Sequence, residues 1–99
     1  MGYRFISLSR STGDKKYEVK LLNTETNRQK TIKFGAVGYD DYTTTKDEAK
    51  KKSYIARHSV RENWSISGVD TPGFWARWLL WNKPTITASL ADIKKRFFK

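Results

Sequence analysis

Hydrophobic and polar residues alternate in the first third of the chain, which is typical of strands with one buried face. Residues 17–22 (YEVKLL) place aromatic and aliphatic side chains on one side and charged ones on the other. Residues 30–34 (KTIKF) repeat the pattern. We therefore predict two half-buried strands, with Lys20, Lys30 and Lys33 on the outer face.

A further strand and two turns complete this region. Residues 3–10 (YRFISLSR) mix aromatic and β-branched residues with polar ones. Residues 11–14 (STGD) and 23–27 (NTETN) supply the small and polar residues that tight turns use. The pattern predicts a three-stranded antiparallel meander over residues 3–35 with one wet face. Such a sheet is marginally stable alone, so its apolar face needs a cover.

Helical patterns follow the meander. Thr45 and Glu48 fit a capping box, and neither Gly nor Pro interrupts residues 46–60. Apolar residues are sparse there, which predicts a largely solvent-facing helix. Residues 62–70 are polar, and we expect a loop held in place by Trp64.

A tryptophan-rich segment comes next. Thr71 followed by Pro72 is typical of a helix start, and the segment FWARWLLW continues to Asn82. This predicts a helix of about three turns. It is apolar on almost every side, so we expect it to form the centre of the core.

The last apolar residues, Ile86, Leu90, Ile93 and Phe97, recur at helical spacing and predict an amphipathic helix. The element order then indicates an α+β fold with segregated strands and helices. With 99 residues, we predict a single domain over 1–99, with the meander in 1–35 and the helical part in 45–98.

Charge narrows the choice of function. Twenty Lys and Arg residues against ten Asp and Glu residues give a formal net charge of +10. A folded chain with this excess repels itself unless a polyanion binds it, and phosphate is the commonest such partner. We expect nucleic acid to be the partner, through its phosphate backbone.

Catalytic chemistry has little support. The chain has no cysteine and one histidine, His58, which rules out a Cys–His pair and a histidine-rich metal site. No phosphate-binding glycine loop occurs. Glu18 and Lys20 fit a metal-nuclease pattern, but alternation on a wet sheet face explains them better. We expect no enzyme activity, catalytic residue, metal, cofactor or small-molecule substrate.

Two basic clusters on predicted helices are the candidate nucleic-acid contacts. They comprise Lys46, Lys50, Lys51, Lys52, Arg57, Arg61, Lys94, Lys95, Arg96 and Lys99. They lack a series of Asn, Gln or Arg at the spacing of a base-reading helix. Binding should therefore be independent of sequence.

A second set of residues has two interpretations, a structural clasp or a contact with a partner chain. It comprises His58, Glu62, Asn63, Trp64, Trp75, Trp78 and Trp81. His58 and Glu62 have the spacing of a helix-surface pair. The tryptophans could stack on bases or build the core, and their helical spacing favours the core.

The chain shows no long apolar run and no apolar stretch after Met1, so we expect neither membrane insertion nor secretion. The absence of cysteine is typical of proteins in reducing compartments.

Residues 34–43 (FGAVGYDDYT), 54–64 (with YIARH and RENW) and 71–82 (TPGFWARWLLWN) resemble a family of small basic proteins of large DNA viruses of algae and protists. The resemblance spans roughly residues 30–97. That family is uncharacterised. The resemblance therefore implies a viral origin and a location in the virion, or in the host cytoplasm or nucleus, but no activity.

Two hypotheses remain. The first is a non-enzymatic, sequence-independent nucleic-acid-binding protein, for DNA in particular, associated with a viral genome. The alternative is a minor capsid or assembly protein that binds a capsid protein or a second copy of itself through the tryptophan-rich helix. The alternative predicts an exposed apolar patch around Trp75 or Leu80.

Overall fold

The computed structural model of the protein describes residues 2–98. Its strands are β1 (Tyr3–Arg10), β2 (Lys15–Asn23) and β3 (Arg28–Ala36). Its α-helices are α1 (Tyr42–Thr45), α2 (Glu48–His58), α3 (Pro72–Trp75) and α4 (Ile86–Phe97). A 3₁₀ turn spans Ile66–Gly68, and α3 continues as a π-helical segment, Ala76–Leu80. The predicted α+β fold is confirmed.

The strands form one antiparallel sheet in the order β1-β2-β3, as predicted. Val19 lies opposite Ile32 in the register of β2 and β3, so both point to the same face. Val19, Leu21, Ile32 and Phe34 are all buried on that face. The alternation read in residues 17–22 and 30–34 therefore marks the core side correctly.

Strand β1 departs from strict alternation at Ile6. Phe5 lies opposite Leu21, but Ser7 lies opposite Lys20, so Ile6 is an extra residue in the pairing. This β-bulge shifts the alternation of inward and outward side chains along β1 by one residue. Leu8 consequently joins Phe5 in packing against the core, while Ile6 is left exposed.

Trp75 is the centre of the core and is 0% exposed. Its ring lies 6.2 Å from that of Phe34 and 6.3 Å from that of Phe5, measured between centroids. Its indole Nε1 donates a hydrogen bond of 2.7 Å to the carbonyl of Val69. This bond satisfies the polar group that burial of an indole would otherwise leave unpaired. The prediction that the tryptophan-rich segment forms the core is confirmed.

The same segment is shorter and less regular than the predicted helix. Regular α-helix ends at Trp75, and the amide of Trp81 donates to the carbonyl of Ala76, five residues back, at 3.2 Å. The guanidinium of Arg77 donates to the carbonyl of Trp81 at 2.7 Å and closes this wider turn. The helical backbone therefore ends at Leu80 rather than Asn82.

The predicted capping box at Thr45 is wrong. Thr45 is the last residue of α1, and Lys46 follows with a left-handed φ of 54°. The chain therefore turns before α2, and Asp47 becomes the N-cap. Its carboxylate accepts hydrogen bonds from the amides of Ala49 at 2.9 Å and Lys50 at 3.3 Å.

The other helical predictions hold. In α2, Tyr54 is the buried residue and the helix faces solvent for most of its surface. In α4, Ile93 is buried, and the other members of the predicted apolar stripe, Ile86, Leu90 and Phe97, pack against the core. Thr71 precedes α3 as predicted, although its hydroxyl donates to the carbonyl of Gly68 instead of capping the helix.

Gly35 and Gly13 share a left-handed φ of 78° but differ in their surroundings. A Cβ on Gly35 would lie 2.8 Å from Leu80 Cδ1, whereas one on Gly13 would meet nothing within 4 Å. The Gly13→Ala substitution should cost about 1–2 kcal/mol from backbone strain. Gly35→Ala should cost about 1 kcal/mol or more beyond that, because Leu80 is buried and cannot move freely. Urea unfolding of both variants measures the difference, and equal losses would contradict this packing.

Candidate nucleic-acid interface

The last turn of α4 presents three consecutive cations, Lys94, Lys95 and Arg96, around the buried Ile93. Successive helical residues are about 100° apart, so Lys94 and Arg96 flank the buried stripe on opposite sides and Lys95 faces solvent. Lys94 Nζ lies 4.9 Å from the ring centroid of Phe5 in β1. The end of α4 is therefore cationic on every side that is not buried.

Two further arginines extend this surface. The guanidinium of Arg77 lies 4.4 Å from the ring of Trp78, and that of Arg96 lies 5.0 Å from the same ring. On the other side of α4, exposed Arg4 lines a cavity together with Lys94. We call Arg4, Arg77, Lys94, Lys95 and Arg96 the α4 cationic end.

Sequence reasoning missed Arg4 and Arg77. Both lie inside segments read for their apolar residues, and their proximity to α4 arises only from the tertiary fold. One signal was present in the sequence: Arg77 interrupts the otherwise apolar run FWARWLLW. A cation within a core helix is unusual, because charged side chains are rarely buried without a partner.

Like charges lie close together on Trp78. Burial lowers the pKa of the Arg77 guanidinium, and the charge of Arg96 lowers that pKa further. Arg77 Nε is buried without a hydrogen-bond partner. The site therefore holds two neighbouring cations with incomplete compensation, which an incoming anion would stabilise.

Carboxylates compensate little of this charge. Arg96 Nε donates to Asp92 Oδ2 at 2.8 Å. Elsewhere in residues 2–98 the ion pairs are Lys16–Asp41, Lys30–Asp70 and His58–Glu62. Within that range the four other members of the α4 cationic end have no carboxylate within the 4 Å of an ion pair.

A chain of hydrogen bonds joins the two predicted basic clusters. Lys51 Nζ donates to the backbone carbonyl of Asn82 at 2.7 Å. The side-chain amide of Asn82 donates to Asp92 Oδ2 at 2.7 Å, and Asp92 binds Arg96. The clusters therefore meet at Asn82, which sequence reasoning did not identify.

The remaining predicted contacts, which lie on α2 or just beyond its ends, are mostly solvent-facing. Lys46, Lys50, Lys52, Arg57 and Arg61 are exposed, whereas Lys51 is half-buried over the ring of Tyr42. The predicted contact Lys99 lies outside the described residues. The α2 cations thus form a second positive surface, connected to the α4 cationic end through Lys51.

Lys30 does not lie on the outer face of the sheet, where we predicted it. It pairs in register with Leu21, so its side chain points to the core face, and its Nζ lies 3.6 Å from Asp70 Oδ2. Lys33 pairs with Glu18 and Lys20 with Thr31, both on the open face. The error arose because Lys30 was assigned to the face opposite Ile32, although residues two apart in a strand point to the same face.

The segment after α2 has the contacts of a clasp. The Glu62 carboxylate lies 2.8 Å from His58 Nδ1 and accepts a 3.0 Å hydrogen bond from Trp64 Nε1. Trp78 Nε1 donates in turn to the carbonyl of Trp64 at 2.9 Å. Asn63 caps the following turn by accepting from the Ser65 amide at 3.0 Å.

Stacked rings support the clasp. Tyr54 lies 4.6 Å from Trp81 with the planes 7° apart, and 4.2 Å from His58 with the planes 22° apart. Burial raises the pKa of the Tyr54 hydroxyl, and the Glu62 carboxylate raises it further. The tyrosine is therefore neutral at physiological pH.

The exposed apolar patch predicted around Trp75 or Leu80 is wrong. Trp75 is 0% exposed and Leu80 is 2% exposed, because both face the sheet and its neighbouring helix. Trp78 and Trp81 are half-buried. Trp75 is thus a core residue and unavailable to a partner.

Two features are absent from residues 2–98. Residues 2–98 contain no group of three His, Asp or Glu side chains placed to hold a metal ion. None of the helices in that range has the length and apolar character to cross a membrane.

The clasp can be tested with two neighbouring residues. Trp64→Ala removes the ring and its hydrogen bond to Glu62, and should lower the free energy of unfolding by about 2–3 kcal/mol. Arg61→Ala changes an exposed side chain and should stay within about 0.5 kcal/mol of wild type. Chemical denaturation measures both, and a stable Trp64→Ala protein would refute the clasp.

The carboxyl group of Asp92 should make the free energy of unfolding depend on pH in the acidic range. Desolvation raises the pKa of its carboxyl group, but hydrogen bonds from Asn82 and Arg96 and the charges of Arg96 and Lys83 together lower it by more, so the net pKa is below the ordinary value. A lowered folded-state pKa stabilises the fold above the unfolded-state pKa of about 4, and this gain is lost as the pH falls through the folded-state value.

We therefore expect the Asp92→Asn protein to lose less unfolding free energy than wild type between about pH 5 and pH 2. Thermal or urea unfolding across that range measures the loss. Asp40→Asn, at an exposed carboxylate, is the matched control and should retain the wild-type acid sensitivity. Identical acid profiles for wild type and Asp92→Asn would exclude this contribution.

Comparison with known proteins adds a family but no activity. Searches of curated proteins and of solved structures gave no match. Residues 6–58 match the family of unknown function DUF5754. This region includes most of the sheet, α1 and α2, and it stops before the tryptophan-rich segment and α4. Because the match covers more than half of the 99 residues, the protein belongs to the DUF5754 family.

Proposed function

We propose that this protein is a non-enzymatic nucleic-acid-binding protein that recognises the phosphate backbone without regard to sequence. The observation that carries the proposal is the α4 cationic end, a group of five cations of which only Arg96 pairs with a carboxylate of the described residues, that of Asp92. A surface of this kind attracts a chain of phosphates and releases the counterions condensed on it.

The chemistry of these cations favours backbone contacts over base reading. Lys94 and Lys95 are point charges on flexible stems, which suit phosphates in many orientations. Arg96 is held by Asp92 through Nε and by the face of Trp78, which leaves its terminal nitrogens to contact a phosphate. This supports binding to DNA or RNA of any sequence.

A viral setting would give this binding a purpose. The resemblance to proteins of large DNA viruses suggests a place beside the packaged genome, where cationic domains neutralise phosphate. The alternative is a capsid or assembly protein that binds through the tryptophan-rich helix. It predicted an exposed apolar patch around Trp75 or Leu80, but both residues are buried. Nucleic-acid binding is therefore the function that we favour.

Binding should weaken steeply with salt. About five phosphate contacts predict a loss of about 10²–10³-fold in affinity for random duplex DNA between about 50 and 200 mM salt. Fluorescence anisotropy or gel mobility shift measures this. A flat salt response would overturn the proposal.

Charge-matched variants locate the surface. The double substitution Lys94→Gln with Lys95→Gln should reduce the slope of log affinity against log salt by about two. Lys20→Gln with Lys33→Gln removes the same charge from the open face of the sheet and should leave the slope nearly unchanged. Equal effects in the two pairs would mean that net charge, not the α4 cationic end, drives binding.

A further inference from the structure

A cavity of about 460 Å³ lies between β1 and the end of α4. It is lined by Tyr3, Arg4, Phe5, Lys94, Phe97 and Phe98. Its volume is in the range of pockets that hold small organic ligands. Four of the six lining residues are aromatic and the other two are cations, so the cavity combines aromatic rings with positive charge.

The aromatic wall is braced by the core. Phe98 lies 6.1 Å from Trp75 with the ring planes 26° apart, and 6.0 Å from Phe5 in an edge-on arrangement. Because Trp75 is fully buried, these two rings are supported from behind. A planar ligand that stacked here would meet preformed rings and would pay little ordering entropy.

The two cations at the cavity indicate the charge of the matching ligand. Lys94 Nζ sits over the Phe5 ring, and Arg4 is exposed at the same cavity. The described lining includes no carboxylate, and neither cation forms an ion pair within residues 2–98. The matching ligand is a flat aromatic ring attached to a negative group.

We propose that this cavity receives an unpaired nucleotide of a single-stranded nucleic acid. The base stacks on Phe97 and Phe98, beside the Phe5 ring that Lys94 covers, while the flanking phosphates contact Arg4 and Lys94. In a duplex the faces of the bases are covered by their neighbours, so a duplex would use only the cations. The inference rests on the proposed function and adds a preference for single strands to it.

The first test changes the ligand and leaves the protein intact. At about 100 mM salt, wild-type protein should bind a 20-nucleotide oligothymidylate about tenfold more tightly than a 20-mer of abasic residues, which has the same phosphates but no bases. It should also prefer the oligothymidylate to a 20-base-pair duplex. Equal affinity for the oligothymidylate and the abasic strand would overturn the cavity assignment.

This comparison separates the two proposals. If all three ligands bind equally and with a steep salt dependence, phosphate binding stands and base stacking fails. If none binds, the proposed function itself fails. If thymidine monophosphate binds as tightly as the strand, the cavity serves a free nucleotide and the assignment to single strands is overturned.

The second test changes the wall. Phe98→Leu keeps an apolar side chain but removes the ring, and should reduce the affinity for oligothymidylate about tenfold while leaving that for the abasic strand unchanged. Tyr39→Leu removes an aromatic ring that is 74% exposed elsewhere on the surface and is the matched control. Equal oligothymidylate affinity in the two variants would refute the assignment.

A thermal melt checks that the Phe98→Leu protein is folded. If it is destabilised, the double substitution Arg4→Gln with Lys94→Gln replaces it, because both residues are exposed. That variant should weaken binding to every strand but retain the ratio between oligothymidylate and abasic strand. Loss of the ratio would contradict a base site formed by the phenylalanines.

Discussion

The burial of Trp75 is the interaction on which the rest of the structure depends. Its ring contacts β3 through Phe34, β1 through Phe5 and the end of α4 through Phe98. Its Nε1 is satisfied by the carbonyl of Val69, in the loop that leads to α3. A sheet of three strands is marginal by itself, so this one side chain joins the sheet, the loop and the C-terminal helix into one core.

The positions of the α4 cations follow from that core. Because Ile93 docks α4 with its apolar stripe inward, Lys94 and Arg96 must emerge at the two margins of the helix, one against Phe5 and the other against Trp78. Aromatic rings beside each cation hold it near the surface without neutralising it. Charge that would be diffuse on a flexible tail is thereby fixed on a rigid framework.

Local patterns predicted the elements well, because alternation and helical spacing follow directly from which side of each element is buried. The strands, the apolar stripe of α4 and the place of the tryptophan-rich segment in the core could be predicted in this way. Features that depend on contacts between distant segments could not: Asn82 joins Lys51 to Asp92 across 31 and 10 residues. The α2 cap was missed because α1, a single turn, was not anticipated. Arg4 and Arg77 became relevant only when β1 and α3 met α4.

The bulge at Ile6 has a consequence for how the chain tolerates changes in length. Phe5 pairs with Leu21 and Ser7 pairs with the adjacent Lys20, so one residue of β1 has no counterpart in β2. Loss of that residue would restore a regular ladder and leave Tyr3 and Phe5 on the core side. A deletion of three nucleotides at this codon would thus be less damaging than the same deletion in the regular part of β2 or β3, where it would invert the sidedness of the rest of the strand.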